Sequence, residues 1–283
     1  MSWQLLTALS VLSLSTSVLL QRVLLHKDKV DPYGYAVTFQ FIVGALLLVF
    51  AIPHGLKLPG IGAVIVPAVI SIIAFGVGHI LYAKTLQLVE ASAFSTLFAT
   101  QAIWIMLLGI LLFKESLTAV QVVGSVLIFS SVGMLVKSWK NFKLDKGTFL
   151  GLLTGLVFGV AITSWSYVGR HTDGLSWAAL SFIGTAAAAL LVKPSTYRKI
   201  PSLLGSRVLP KMLLLGVLYG LGSLAMLYAY RKGTFSVVTP LRQTSIMVTT
   251  LLALVFLANE RTRILVKLAA AAISFVGACL LVL

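Results

Sequence analysis

Acidic residues are scarce in this chain: seven Asp and Glu stand among 283 residues, against 22 Lys and Arg, and only 10% of the sequence is charged. So few ionisable groups cannot cover the surface of a soluble domain of this length. A single cysteine, Cys279, excludes an intrachain disulfide and a thiolate metal cluster built from this chain alone. The four histidines, His26, His54, His79 and His171, are scattered singly, and no phosphate-binding loop or paired carboxylates accompany them. No metal or cofactor is expected, and a membrane-embedded enzyme is the weaker rival for that reason. The longest polar stretch, about 194 to 208, is too short to bury a core, so no soluble domain is expected. The first apolar block lacks a basic leader and a small-x-small cleavage site, and reads as a retained helix. The formal charge of +15 does not point to nucleic acid, because the Lys and Arg fall in short clusters between apolar blocks rather than on one aqueous face.

Hydrophobic residues make up 59% of the chain and recur in blocks of about twenty, the length of a bilayer-spanning helix. The pattern predicts an all-α polytopic membrane protein with ten transmembrane helices, near 3–23, 34–53, 61–86, 91–113, 118–137, 148–169, 176–193, 209–231, 234–258 and 263–283. Turn signals such as Asp31-Pro32, Asp173-Gly174 and Pro194-Ser195 separate the blocks. The two halves resemble each other. Tyr82-Ala83 recurs as Tyr228-Ala229, Glu115 as Glu260 and Gly133 as Gly277, at offsets near 145 residues. Residues 1–142 and 143–283 are therefore expected to be two five-helix repeats. Five is odd, so the second must insert inverted relative to the first, an arrangement typical of transporters.

An acid closing the fourth and ninth blocks, Glu115 and Glu260, each followed by a glycine- or alanine-bearing helix, resembles the EamA-type members of the drug/metabolite transporter superfamily. The resemblance implies a ten-helix basket around a central cavity and the export or uptake of a metabolite. Ala102 and Met247 stand where that family usually carries a proline, and Pro240 lies further upstream. The expected location is a multi-pass position in a bacterial-type cell (inner) membrane. Orientation is argued from charge: 16 Lys and Arg lie in loops 1-2, 3-4, 5-6, 7-8 and 9-10, five in the other loops, and Arg242 within a helix. The positive-inside rule puts the first set in the cytoplasm and both termini outside. The family resemblance implies both termini inside.

All seven acids fall at helix ends or in loops, so the one deep charge is positive. That charge is Arg242, which follows Pro240 in the ninth block and is flanked by Thr239 and Gln243. Its guanidinium could hold a substrate carboxylate or phosphate in two-pronged fashion; snorkelling to the interface is the plainer alternative. Polar residues at helical spacing supply further candidates. Helix one offers Ser13 and Ser17 in the stripe Thr7, Ser10, Ser13, Ser17, Gln21; helix four offers Thr100, Gln101 and Trp104; helix six offers Tyr167. His79 and Tyr82 sit one turn apart in helix three, where a histidine could couple protons to transport. Such stripes also serve simply to let helices approach. Gly124, Gly133 and Gly277 make smooth faces for helix packing or a homodimer contact. The combined expectation is a transporter of a small polar or amphipathic metabolite, a zwitterion or an anion, working by alternating access and not an enzyme. A lipid-carrier flippase on the same architecture is the alternative.

Overall fold

In the computed structural model, the described residues are 2–58, 60, 62–113, 118–135, 145–205, 207–232, 242, 244–257 and 263–280, and every regular element among them is helical. Helix α1 is Trp3–Arg22, α2 Pro32–Ala51 and α3 Ile65–Leu88. Next come α4 Ala91–Phe98, α5 Gln101–Phe113 and α6 Ala119–Leu135. The second half holds α7 Lys146–His171, α8 Gly174–Val192, the short α9 Ile200–Leu204, α10 Leu209–Lys232, α11 Ser245–Phe256 and α12 Ile264–Leu280. Six helical stretches among the described residues are long and apolar enough to cross a membrane: Trp3–Lys27, Pro32–Ala51, Ile65–Leu88, Lys146–Gly169, Gly174–Val192 and Leu209–Met226. The apolar helices of the fourth, fifth, ninth and tenth blocks are shorter in their described parts. Large apolar side chains such as Leu265, Leu191, Phe256 and Val49 stand outward, a surface that suits lipid and not water.

Local chemistry fixes the helix starts. Asp31, Asp145 and Asp173 each cap a helix: Asp31 Oδ2 accepts the Gly34 N–H at 2.9 Å, Asp145 Oδ1 those of Gly147 and Thr148 at 2.9 and 3.0 Å, and Asp173 Oδ2 that of Ser176 at 2.8 Å. Pro32 follows its cap directly, at a position where its missing N–H costs nothing. Three of the seven acids are thus used for helix ends. Glu115 and Glu260 lie outside the described residues. Helix α1 runs on through a wide turn, Val23–Lys27, in which the Asp28 N–H reaches back five residues to Val23 O at 3.0 Å.

One expectation is corrected. The fourth block, read as a continuous helix over 91–113, is broken between α4 and α5 at Ala99 and Thr100. Here the Thr100 N–H bonds Leu97 O at 3.2 Å and the Thr100 hydroxyl donates to the same carbonyl at 2.7 Å, while the Ala102 N–H bonds Ala99 O at 3.0 Å. The hydroxyl competes for the carbonyl that would propagate the α ladder, and the chain tightens into three-residue steps.

The principal packing pairs are α1 with α10, α3 with α7, α2 with α8, and α6 with α12. Helix α5 rests on α7, α11 on α1, and α4 on α11. Exchanging each block of the first half for its counterpart in the second leaves this set of pairs unchanged. Ties between connecting segments sort into two ends of the bundle. At one end Lys211 pairs with Asp28 at 2.6 Å, Lys199 with Asp31 at 2.9 Å, and Gln87 Nε2 donates to Val30 O at 3.0 Å. At the other the Lys57 N–H donates to Ser176 Oγ at 3.0 Å.

Candidate functional site

A cavity of about 120 Å³ lies where α1, α3, α4, α5, α7, α10 and α11 converge. Its wall is mixed. Phe94, Phe98 and Phe158 supply an aromatic side, with Tyr82 packed against Phe94 at 4.4 Å between ring centroids and Phe98 against Phe158 at 4.9 Å. Hydroxyls come from Ser15, Ser17, Ser95, Ser245 and Thr249, and from the phenols of Tyr82 and Tyr219. Arg242 brings a guanidinium and Gln101 an amide, and among the described lining residues there is no carboxylate. An anion or the acidic end of a zwitterion entering this space meets one positive charge and several donors.

Four of the residues singled out from sequence meet here: Ser17, Tyr82, Gln101 and Arg242. The break between α4 and α5 positions one of them. Gln101 opens α5, and its Oε1 is buried and has no hydrogen-bond partner. A buried carbonyl oxygen left unbonded costs free energy that a donor from a bound molecule would recover. Ser17 donates its hydroxyl to Leu14 O at 2.7 Å, a bond within its own helix that leaves its acceptor lone pairs for the cavity.

The remaining candidates are placed elsewhere. Ser13 packs against Gly222 of α10, beside Ser10, whose hydroxyl donates to Gly222 O at 2.7 Å. The upper part of the α1 stripe therefore joins two helices, the role small hydroxylated residues often take in membranes. Thr100 and Trp104 lie against the glycines of α7: a Cβ on Gly155 would sit 2.3 Å from Thr100 Oγ1, and one on Gly159 2.6 Å from the Trp104 Cβ. Neither lines the cavity. His79 is buried behind the wall, its Nδ1 bonded to Phe75 O at 2.9 Å and its ring 5.0 Å from that of Phe158. Tyr167 lies near the end of α7 with its ring 4.5 Å from that of His171, away from the cavity. Thr239 and Gln243 lie outside the described residues.

Reading polarity alone missed Ser15, Ser95 and Thr249, and also the phenylalanines. Ser15 sits off the α1 stripe, and a phenylalanine facing a cavity carries the same sequence signal as one facing lipid. A second omission is Lys267. Grouped with the loop charges, it is instead 7% exposed within the first turn of α12, where its Nζ forms a salt bridge with Glu90 Oε2. Arg22 is buried in the same way at the end of α1, where its Nη1 donates to Leu86 O.

No curated protein matches this sequence. One solved crystal structure is similar at 17% identity and a TM-score of 0.54, covering 96% of this chain and 96% of its own, which speaks for a shared fold alone. The pattern of the EamA-like transporter family matches twice, over residues 1–137 and 145–283. Nearly the whole length is accounted for by these two matches, and the chain belongs to the EamA-like transporter family.

Proposed function

We propose that this membrane transporter moves a small polar or amphipathic metabolite, a zwitterion or an anion, by alternating access through the cavity between its halves. The observation that carries this reading is the lining itself: Arg242 is its cation, Gln101 has an unpartnered oxygen, and no described lining residue is an acid. At about 120 Å³ the space is well below the roughly 300–1,000 Å³ of sites for drug-sized ligands, so in this conformation it suits a small solute. The carboxylate or phosphate goes to Arg242, donor groups go to Gln101 Oε1, and the apolar part goes to Phe94, Phe98 and Phe158.

The mechanism follows from the arrangement of the two copies, residues 1–142 and 143–283. The packing pairs are unchanged when the halves are exchanged, which supports two equivalent copies; five membrane helices per copy would oppose the two in the bilayer. A site between opposed halves can be opened to either face by rocking one half against the other. The test is a thermal-stabilisation screen of the purified protein against amino acids, organic anions, sugars and nucleotides. A carboxylate- or phosphate-bearing solute should raise the melting temperature, because a ligand that binds only the folded state stabilises it. Stabilisation only by cations would sink the assignment.

A further inference from the structure

Four of the lining helices, followed one turn away from the cavity in the same direction, reach a seal. One turn beyond Val18 on α1 is Arg22; one turn beyond Tyr82 on α3 is Leu86; one turn before Phe94 on α4 is Glu90; one turn beyond Thr249 on α11 is Ala253. Immediately past the cavity, Leu19, Ala91 and Ala253 form a buried apolar cluster joining α1, α4 and α11. Outside that plug lie two charged contacts. Arg22 Nη1 donates to Leu86 O and ties α1 to α3, and Lys267 Nζ pairs with Glu90 Oε2 and ties α12 to the start of α4.

We propose that the Glu90–Lys267 ion pair is the latch that holds the transporter closed at this end of the cavity, and that it must part whenever the cavity opens there. This rests on the alternating-access reading above. The pair joins the first copy to the second, so rocking the halves apart at this end separates its partners. Lys267 is buried while the Glu90 side chain is 30% exposed, so the contact lies at the boundary between the protein interior and solvent, where parting it hydrates both groups at once. A latch of this kind favours one closed end over the other. At offsets of 144 to 146, the related positions are Thr234 to Ser236 for Glu90 and Gln121 to Val123 for Lys267, and none of them is ionisable.

Removing one partner breaks this tie between the copies, and the charge that remains is better hydrated when this end opens to water. The experiment measures the distance between spin labels at Lys27→Cys and Leu265→Cys, both outward-facing at this end, in a Cys279→Ala background without added solute. The otherwise unmutated protein should give a single short distance. Glu90→Gln and Lys267→Met should each add a longer one, with the ratio of open to closed molecules raised about tenfold or more. Should either variant not fold, Glu90→Asp takes its place, since it draws the carboxylate back by one methylene yet keeps a negative charge facing Lys267. Unchanged distances in the folded variants overturn the latch. Because this readout needs no substrate, opening at this end in a protein that no solute stabilises would count against the transport reading alone. Unchanged distances in a protein that a solute does stabilise would count against the latch alone.

Discussion

The carbonyl oxygen of Gly124 on α6 occupies the space beside Gly277 on α12, so that a Cβ on Gly277 would lie 2.7 Å from it. The contact is backbone against backbone, and no side chain can rotate away to relieve it. The smooth faces noticed in the sequence at these positions are used here within the chain. Gly277→Ala should therefore lower stability by about 1 to 3 kcal/mol, the usual cost of forcing a methyl group into a packed interior. Gly220→Ala is the control, since nothing lies within 4 Å of a Cβ there. Melting temperatures in detergent check both; equal melting for the two variants would show that α6 and α12 can slide apart freely.

Arg242 is expected to supply the counter-charge for the solute. Once a stabilising solute is found, Arg242→Gln should weaken its binding by about 1.5 to 3 kcal/mol, roughly 10- to 150-fold. Arg242→Lys should not restore it, because an ammonium cannot offer two parallel donors to a carboxylate or phosphate. Calorimetric affinities of the wild type and both variants decide the matter, and near-equal values would reduce Arg242 to a packing residue.

Asp31 gives a pH-dependent prediction. Burial by itself would raise its carboxyl, but the Gly34 N–H and the Lys199 ammonium outweigh that and hold it below its ordinary value of 3.8. A carboxyl lowered in the folded state contributes stability that is fully present above the unfolded value and is lost as the pH falls through the folded one. The melting temperature of the wild type should exceed that of Asp31→Asn at pH 6, and the gap should shrink once the pH is taken below 3.8. A gap that stays constant across this window would mean that the charge of Asp31 plays no part.

The orientation is expected from the excess of Lys and Arg in one set of loops, which remains after the buried Lys267 is set aside. A fluorescent reporter that works only in the cytoplasm, inserted between Lys137 and Lys146, should be bright. Activity there of a reporter enzyme that works only outside the cytoplasm would place both termini in the cytoplasm instead.

The helices were legible because a bilayer demands about twenty apolar residues per crossing, and Asp31, Asp145 and Asp173 mark their starts by a side-chain chemistry that needs no tertiary partner. The break at Ala99 and Thr100 was not legible. Threonine is tolerated in membrane helices, and nothing in the local sequence marks Thr100 as the one whose hydroxyl takes Leu97 O and interrupts the ladder. In the cavity, Arg242, Gln101, Ser17 and Tyr82 announced themselves as polar groups in apolar runs. Thr100 and Trp104 carried the same signal and went to the α7 face, because helical spacing defines a stripe without saying what it meets. Lys267 was hidden for a related reason. A lysine three residues into an apolar block reads as one that bends back to the surface, and its burial depends on Glu90, 177 positions away in the chain.

The wide turn at Val23–Lys27 bears on how this chain tolerates changes in length. A π-type turn holds one residue more than the α ladder needs while its side chains, here the fully buried Leu24 and Leu25, keep their packing. Such a turn is a one-residue insertion already absorbed by the helix. Deleting a residue here gives the chain a regular α-helical alternative, whereas the same deletion in the middle of α1 would rotate every later side chain by about 100° about the axis.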